Sequence, residues 1–335
     1  MEDKKISVIM PVYNSELYLD DALESVFNQT YSNFEIVAVN DGSSDNSLCI
    51  LKEWEKKYKE KMVIINQDNQ GQSAARNNAL KYVNGEFISF VDSDDILDEN
   101  MFSILMKNTD EETDISVCAY EKFISETTEV TLVRKPSEWL IDFKGKKHLF
   151  QYSPCGKIFR TEFIRKYGFV FSLGEQLEDG PYCCMTDILA RKVQVADYVG
   201  YKYRIHNTST MGNIRKGKKE PKMPFNGIET ATTKVLENTD DVLTRQVLEY
   251  TIIKILTGLT TNMYKSIDNK SRKKLVKFCY EFVNNYFPNV GENPFIHFAT
   301  PKGLPLTHRV AVKLFVISYK LHILYPFSYL VSKVL

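Results

Sequence analysis

No glycine-rich phosphate loop is present in this 335-residue chain: the turn after the first apolar run reads Pro11-Val12-Tyr13-Asn14-Ser15, without a glycine. That excludes the GxGxxG turn of dinucleotide-binding folds, and a P-loop is absent too. If a nucleotide binds, something else must hold its phosphates. The six cysteines, Cys49, Cys118, Cys155, Cys183, Cys184 and Cys279, show no CxxC pairing and no His-rich companion. A structural zinc site is therefore not expected, and scattered cysteines fit a reducing cytosol. The apolar run near the start is too short for a signal peptide, and no stretch approaches 18 uncharged apolar residues, so no membrane-spanning helix is expected. Global charge bias is also missing, with 43 basic and 43 acidic residues, so nothing points to nucleic acid. One local absence stands out. No Asp or Glu follows Glu292, whereas Lys302, Arg309, Lys313, Lys320 and Lys333 do.

What is present begins with alternating strands and helices. Ile6 to Met10 reads as a strand that Pro11 ends, because proline cannot extend a central ladder. Ser15 is placed to cap a helix carrying Leu19, Leu23, Val26 and Phe27 at helical spacing. A second strand, Phe34 to Val39, runs into Asn40-Asp41-Gly42-Ser43-Ser44-Asp45, a turn-rich cluster. A helix to about Lys57, a strand from Met62 to Ile65 and a helix from Ser73 to Val83, closed by Asn84-Gly85, follow. Then Phe87-Ile88-Ser89-Phe90-Val91, a buried-strand pattern, meets Asp92-Ser93-Asp94-Asp95. This alternation implies an α/β fold with a mostly parallel sheet flanked by helices. Ligands of such sheets sit outside the carboxyl ends of the strands, so the polar clusters after the first, second and fourth strands converge on one cleft. The acids read either as a helix cap or as a solvated group facing a hard divalent cation, and the convergence favours the second reading.

Further along, Asn100 to Lys107 reads as a helix, Ile115 to Tyr120 as a strand, and Phe123 to Arg134 as a hairpin. Gly156 to Arg160 is a strand leading to a helix from Thr161. Glu178-Asp179-Gly180-Pro181 opens a helix; the acids are either caps or, for one of them, a general base. Val193 to Ile205 reads as one or two strands, and Arg204 and His206 share a face that would suit a diphosphate or metal. Gly212 to Lys222 is a basic segment, read as a linker or as a lid attracted to phosphates. From Phe225 the pattern is helical, with helices at Ile228–Leu236, Asp241–Met263 and Ser271–Tyr286. A catalytic domain of residues 1–214 and a helical region of residues 215–335 are expected. The tail, about 306–335, is basic and aromatic-rich; it is read as a peripheral membrane contact or as packing, within the chain or in a homodimer.

Pro11-Val12-Tyr13-Asn14, Asn40 to Asp45, Asn69-Gln70-Gly71 with Ala75-Arg76-Asn77, Asp92 to Asp95 and Glu178-Asp179 occur in the order and spacing of family 2 glycosyltransferases. Over residues 5 to 210 the chain resembles that family, and the helical remainder resembles the variable tails of bacterial polysaccharide-type members. The resemblance implies a GT-A fold and an inverting, metal-dependent transfer from a nucleotide-diphosphate sugar, a UDP-hexose or UDP-N-acetylhexosamine, to an acceptor hydroxyl. It implies Pro11, Tyr13 and Asp41 at the nucleobase, and Asn69 and Arg76 at uridine and its phosphates. Asp92, Ser93 and Asp94 form the DxD motif, with Asp94 on Mn²⁺ or Mg²⁺ and Asp92 at the ribose or at the metal through water. His206 matches a position that in some relatives meets the metal, Asp179 matches the catalytic base, and Glu178 lies beside it. A lipid-linked oligosaccharide acceptor at the inner face of the cell membrane is expected, with a teichoic-acid or protein acceptor as alternative. A nucleotidyltransferase lacks its glycine loop here. A degenerate sugar-nucleotide-binding scaffold is opposed by a competent residue at every expected polar position.

Overall fold

The computed structural model describes residues 4–107, 109–206, 222–263 and 267–334. The expected basic segment from Gly212 lies, apart from Lys222, outside the described residues. The chain forms two compact units. The first comprises Met1–Glu138, Ser153–Gly174 and Ala190–His206; the second comprises Trp139–Tyr152, Glu175–Leu189 and Asn207–Leu335. The second unit is thus discontinuous. It takes in two segments that lie before residue 214, where the sequence shows no shift in composition.

The first unit is built on a nine-stranded sheet. Its opening half is parallel, in the order β3 (Met62–Gln67), β2 (Phe34–Asp41), β1 (Ile6–Val12), β4 (Phe87–Phe90). β1, β2 and β4 are buried along their whole length, as strands covered on both faces must be. Helices α1 (Leu19–Phe27), α2 (Ser47–Lys57) and α3 (Gln72–Ala79) make the crossovers, and α4 (Met101–Lys107) and α5 (Thr161–Tyr167) follow in the same unit. Beyond β4 the pairing is mixed. β10 (Lys157–Arg160) runs antiparallel to β4 and to β6 (Thr113–Ile124). β11 (Lys192–Ile205) lies parallel to β6, and the short β5 (Ile96–Leu97) closes the edge. The hairpin expected around Phe123 to Arg134 is β6 turning into β7 (Val130–Arg134). The GT-A fold implied by the sequence is the fold found.

Three local expectations are corrected. β1 does not stop at Pro11: it continues to Val12 and pairs with β2 through Pro11↔Val39. The missing N–H costs nothing there. Ile9 accepts from Val91 on the β4 side, so in a parallel ladder Pro11 also addresses that side, where β4 pairing has already ended at Phe90. Ser15 does not cap α1 with its side chain. Its carbonyl accepts from Tyr18 and Leu19, and its hydroxyl is used elsewhere. Gly85 does not close α3, which ends at Ala79. A Cβ on Gly85 would stand 2.6 Å from the Ser7 nitrogen and 2.7 Å from the Lys5 carbonyl, so glycine is required by the close crossing of two backbones.

The second unit contains a small hairpin, β8 (Leu140–Phe143) with β9 (Lys146–Leu149), and helices α6 (Asp179–Leu189), α7 (Phe225–Glu237) and α8 (Val242–Gly258). A π-helical turn, Leu259–Met263, extends α8. α9 (Asn269–Tyr286), α10 (Leu306–Lys320) and α11 (Leu324–Val334) follow. Asp241 and Asp268 cap α8 and α9 by accepting from the N–H groups of Thr244 and Ser271. The tail is a packed element of this unit. α10 buries Val312, Phe315, Val316 and Tyr319, and Lys313 donates to the Ile296 carbonyl. No helix among the described residues is long and apolar enough to cross a membrane.

Candidate functional site

The polar clusters after β1, β2 and β4 meet in the first unit, and a chain of hydrogen bonds shows how. The β1 end is tied to the β2 end: Asn14 N donates to Ser43 Oγ at 3.1 Å, Ser44 N to Asn14 Oδ1 at 2.8 Å, and Ser15 N to Ser47 Oγ at 2.8 Å. It is tied to the β4 end by the Ser15 and Ser93 hydroxyls, 2.7 Å apart. Asp41, 2 % exposed, ties the β2 end to the turn before α3. Its carboxylate accepts from Gln67 Nε2, Gln70 N and Gly71 N at 2.8–2.9 Å. Gly42 permits this turn. Its φ is +69°, and a Cβ would lie 2.8 Å from Asn69 N. Asn69 itself is exposed, as is the Tyr13 ring at 51 %.

The acids at the end of β4 occupy three different environments. Asp92 Oδ1 accepts from Gln72 Nε2 and from Arg76 Nη2, both at 2.8 Å. Arg76 is fully buried, and its guanidinium stacks on Phe171 at 5.0 Å. A buried cation needs such a partner, so Arg76 of α3 and Asp92 hold each other in place. The Asp94 side chain is one-third exposed, and its Oδ2 lies 2.8 Å from His206 Nε2. The His206 ring packs on Tyr18 at 4.7 Å. Asp95 is 1 % exposed; it accepts from Tyr201 Oη at 2.7 Å and Arg204 N at 2.8 Å. Burial pushes its carboxyl well above the usual range, and Asp94 and Asp92 push further.

β11 contributes more here than its sequence suggests. The Tyr201 hydroxyl also accepts from Asp92 N at 3.2 Å. Arg204, 7 % exposed, donates Nε to the Asp94 carbonyl and Nη2 to Asp21, and lies over the Tyr18 and Phe123 rings. The expected diphosphate or metal contact of Arg204 is therefore replaced by a clamp on the acid loop's backbone. Tyr201, Gln72 and Ser15 were not legible as site residues, since their partners lie at 106, 20 and 78 residues' distance in the chain.

Glu178 and Asp179 belong to the second unit. Asp179 opens α6 and is partly exposed, and Glu178 is 9 % exposed. Leu177 takes a left-handed backbone at φ 63°, turning the chain into the helix. Pro181 fits within the first turn, where an N–H has no intrahelical acceptor.

A divalent cation needs hard oxygen donors. Among the described residues no group of three or more His, Cys, Asp or Glu could hold one. Asp94 and His206 form a two-residue set. The carboxylate fits a Mg²⁺- or Mn²⁺-like ion, which takes remaining ligands from water and substrate phosphates, whereas the imidazole nitrogen is not the oxygen donor that Mg²⁺ prefers.

The sheet, parallel from β3 to β4 and carrying an acid loop after β4, has the architecture of the GT-A class. Residues 7–168 match the model of glycosyl transferase family 2, and this part of the chain belongs to that family. EpsH of Bacillus subtilis (strain 168) is 33 % identical over 228 residues, covering 64 % of this chain and 65 % of EpsH. The minor teichoic acid biosynthesis protein GgaB of Bacillus subtilis is 37 % identical over 169 residues, covering 49 % of this chain and 19 % of GgaB. The chain thus spans less than two thirds of either relative. The crystal structure of S. aureus TarS 1-349 in complex with UDP-GlcNAc is similar in fold, with a TM-score of 0.70, 21 % identity and coverage of 95 % of this chain and 92 % of that one.

Proposed function

We propose that the chain transfers a sugar from a nucleotide-diphosphate donor, a UDP-hexose or UDP-N-acetylhexosamine, to an acceptor hydroxyl with inversion. The observation that carries this reading is the hydrogen-bonded ring of loop ends around Asp92 and Asp94. TarS, similar in fold, is seen with UDP-GlcNAc.

Each residue has a task in this reading. A carboxylate offers about four acceptor positions, and Asp41 uses three within the protein, which leaves about one for a donor N–H such as that of uracil. The exposed Tyr13 ring supplies a face for the base, with Pro11, buried in β1, setting where it stands; Asn69 acts towards uridine, and the buried Arg76 acts through the Asp92 carboxylate that it holds. Asp92, held by Gln72 and Arg76, meets the ribose, and Ser93 fixes the loop through Ser15. Mn²⁺ or Mg²⁺ on Asp94 and His206 would offset the charge developing on the leaving nucleoside diphosphate. Asp179 takes the proton from the acceptor hydroxyl as its oxygen attacks the anomeric carbon opposite the diphosphate, with Glu178 beside it on donor or acceptor. One displacement inverts the centre, so one carboxylate base suffices.

The acceptor in this reading is a lipid-linked oligosaccharide of cell-surface polysaccharide synthesis, met at the inner face of the membrane. A teichoic-acid acceptor is the second reading, favoured by the match to GgaB. Asp179→Asn tests the base: transfer should fall by about 10²–10⁴-fold with donor binding retained. Near wild-type transfer would remove Asp179 from that role.

A further inference from the structure

Seven of the eighteen exposed large apolar side chains among the described residues lie between Leu306 and Leu330. On α10 and its C-cap, Leu321, three of them form a row. Leu314, Ile317 and Leu321 are spaced by three and four residues and are 41 %, 38 % and 62 % exposed. The other face of the same helix is buried through Val312, Phe315, Val316 and Tyr319. Ile323, in the turn after α10, and Leu330, on α11, are also exposed, at 44 % and 62 %. A helix at the surface of a water-soluble unit needs one apolar face for the core. A second apolar face, here the row Leu314, Ile317 and Leu321, marks a surface that meets something else.

The charge around the stripe selects the partner. Lys313 and Lys320 sit on α10, and no acid follows Glu292. α9 exposes Lys270, Lys273, Lys274 and Lys277. It is joined to α11 by a groove of about 490 Å³ lined by Lys273, Val276, Lys277, Tyr280, Glu281 and Tyr325. The groove has an apolar floor and two lysines at its edge, one of them, Lys277, with Glu281 at 3.5 Å. A second copy of this chain would bring one basic tail, without an acid after Glu292, against another. An anionic surface with an apolar interior satisfies both features at once.

We propose that α10 and α11 dock on an anionic phospholipid bilayer, with Leu314, Ile317, Leu321, Ile323 and Leu330 at the acyl boundary and the α9 lysines among the headgroups. This sharpens the expectation for the tail. The helix is not a free amphipathic anchor that presents its lysines. It is a docked element with its own core face, and its outward apolar stripe enters the interface. The lipid-linked acceptor of the transfer reading gives such docking a purpose, but the docking is tested apart from the transfer.

The full chain is floated with phosphatidylcholine vesicles, with and without phosphatidylglycerol, and UDP release from donor is measured on the same samples. Wild type should float with the anionic vesicles only. Leu314→Ser with Leu321→Ser should lower the bound-to-free ratio by at least about tenfold. Lys273→Ala with Lys277→Ala should lower it by roughly tenfold and steepen no further with salt. UDP release should be unchanged in both variants, because none of these residues lies in the proposed catalytic set. Flotation without UDP release would support docking and defeat the transfer reading. UDP release without flotation would overturn docking alone. Light scattering that shows a dimer dissociated by Leu314→Ser with Leu321→Ser, with no vesicle binding by wild type, would overturn docking in favour of a second copy.

Discussion

Asp95 shows how three neighbouring acids acquire different work. Asp92 and Asp94 keep solvent contact, whereas Asp95 is 1 % exposed and is met by the Tyr201 hydroxyl and the Arg204 N–H. Tyr201 is central because one hydroxyl accepts from Asp92 N and donates to Asp95. Tyr201→Phe should lower stability by about 1–3 kcal/mol, the cost of leaving buried polar groups unmet. It should also shift the Mn²⁺ titration of donor binding to higher concentration, because the loop carrying Asp94 loses its brace. Thermal melts and calorimetry check both; an unchanged melt and an unchanged titration would make the hydroxyl ornamental. The acids and Asp41 were legible from sequence because each follows an apolar strand and so must lie at the same edge of a parallel sheet. Tyr201 was not. A tyrosine in an alternating strand carries no mark of the acid loop it will reach, and its bond depends on the order in which β11 and β6 enter the sheet.

At the scale of elements, the parallel half was legible and the mixed half less so. Strong periodicity and short crossovers determine β1 to β4, while β8 and β9 are four residues each and their pattern is weak. Pro11 shows a rule meeting its exception: a missing donor matters only where a neighbouring strand would have accepted. α8 carries a feature that no pattern announces. Burial raises the Glu249 carboxyl to about 7, and its Oε1 has no hydrogen-bond partner among the described residues. Between its ordinary value of 4.5 and about 7 the folded chain binds more protons than the unfolded chain, so stability present at low pH is lost as pH rises through about 7. Glu249→Gln removes the titration. Its melting temperature should exceed that of wild type at pH 8, with the gap closing towards pH 5. A variant that melts below wild type at pH 8 would show that the carboxylate is accommodated.

For the whole molecule, the sequence shift near residue 215 marks where helices dominate, but it does not mark where the units divide. Trp139–Tyr152 and Glu175–Leu189 join the helical unit although they precede that shift, and apolar residues there find partners in segments encoded later. Phe143 meets Phe295 at 4.7 Å and Tyr250 at 5.7 Å, contacts that cross more than a hundred residues of chain. Asp179 thereby opens a helix of the second unit, while the acid loop belongs to the first. Resemblance could align both along one chain, but only folding assigns them to separate bodies.

The central claim is metal-dependent use of a nucleotide sugar by the loop that follows β4. The most direct measurement is UDP release by the full chain across a panel of common UDP-sugars, with and without Mn²⁺, alongside Asp94→Ala. The account predicts release that requires the metal, is confined to one or a few donors, and falls about a hundredfold or more in Asp94→Ala with an unchanged melting temperature. Release that proceeds equally without metal and in Asp94→Ala, or no release from any donor, would contradict it.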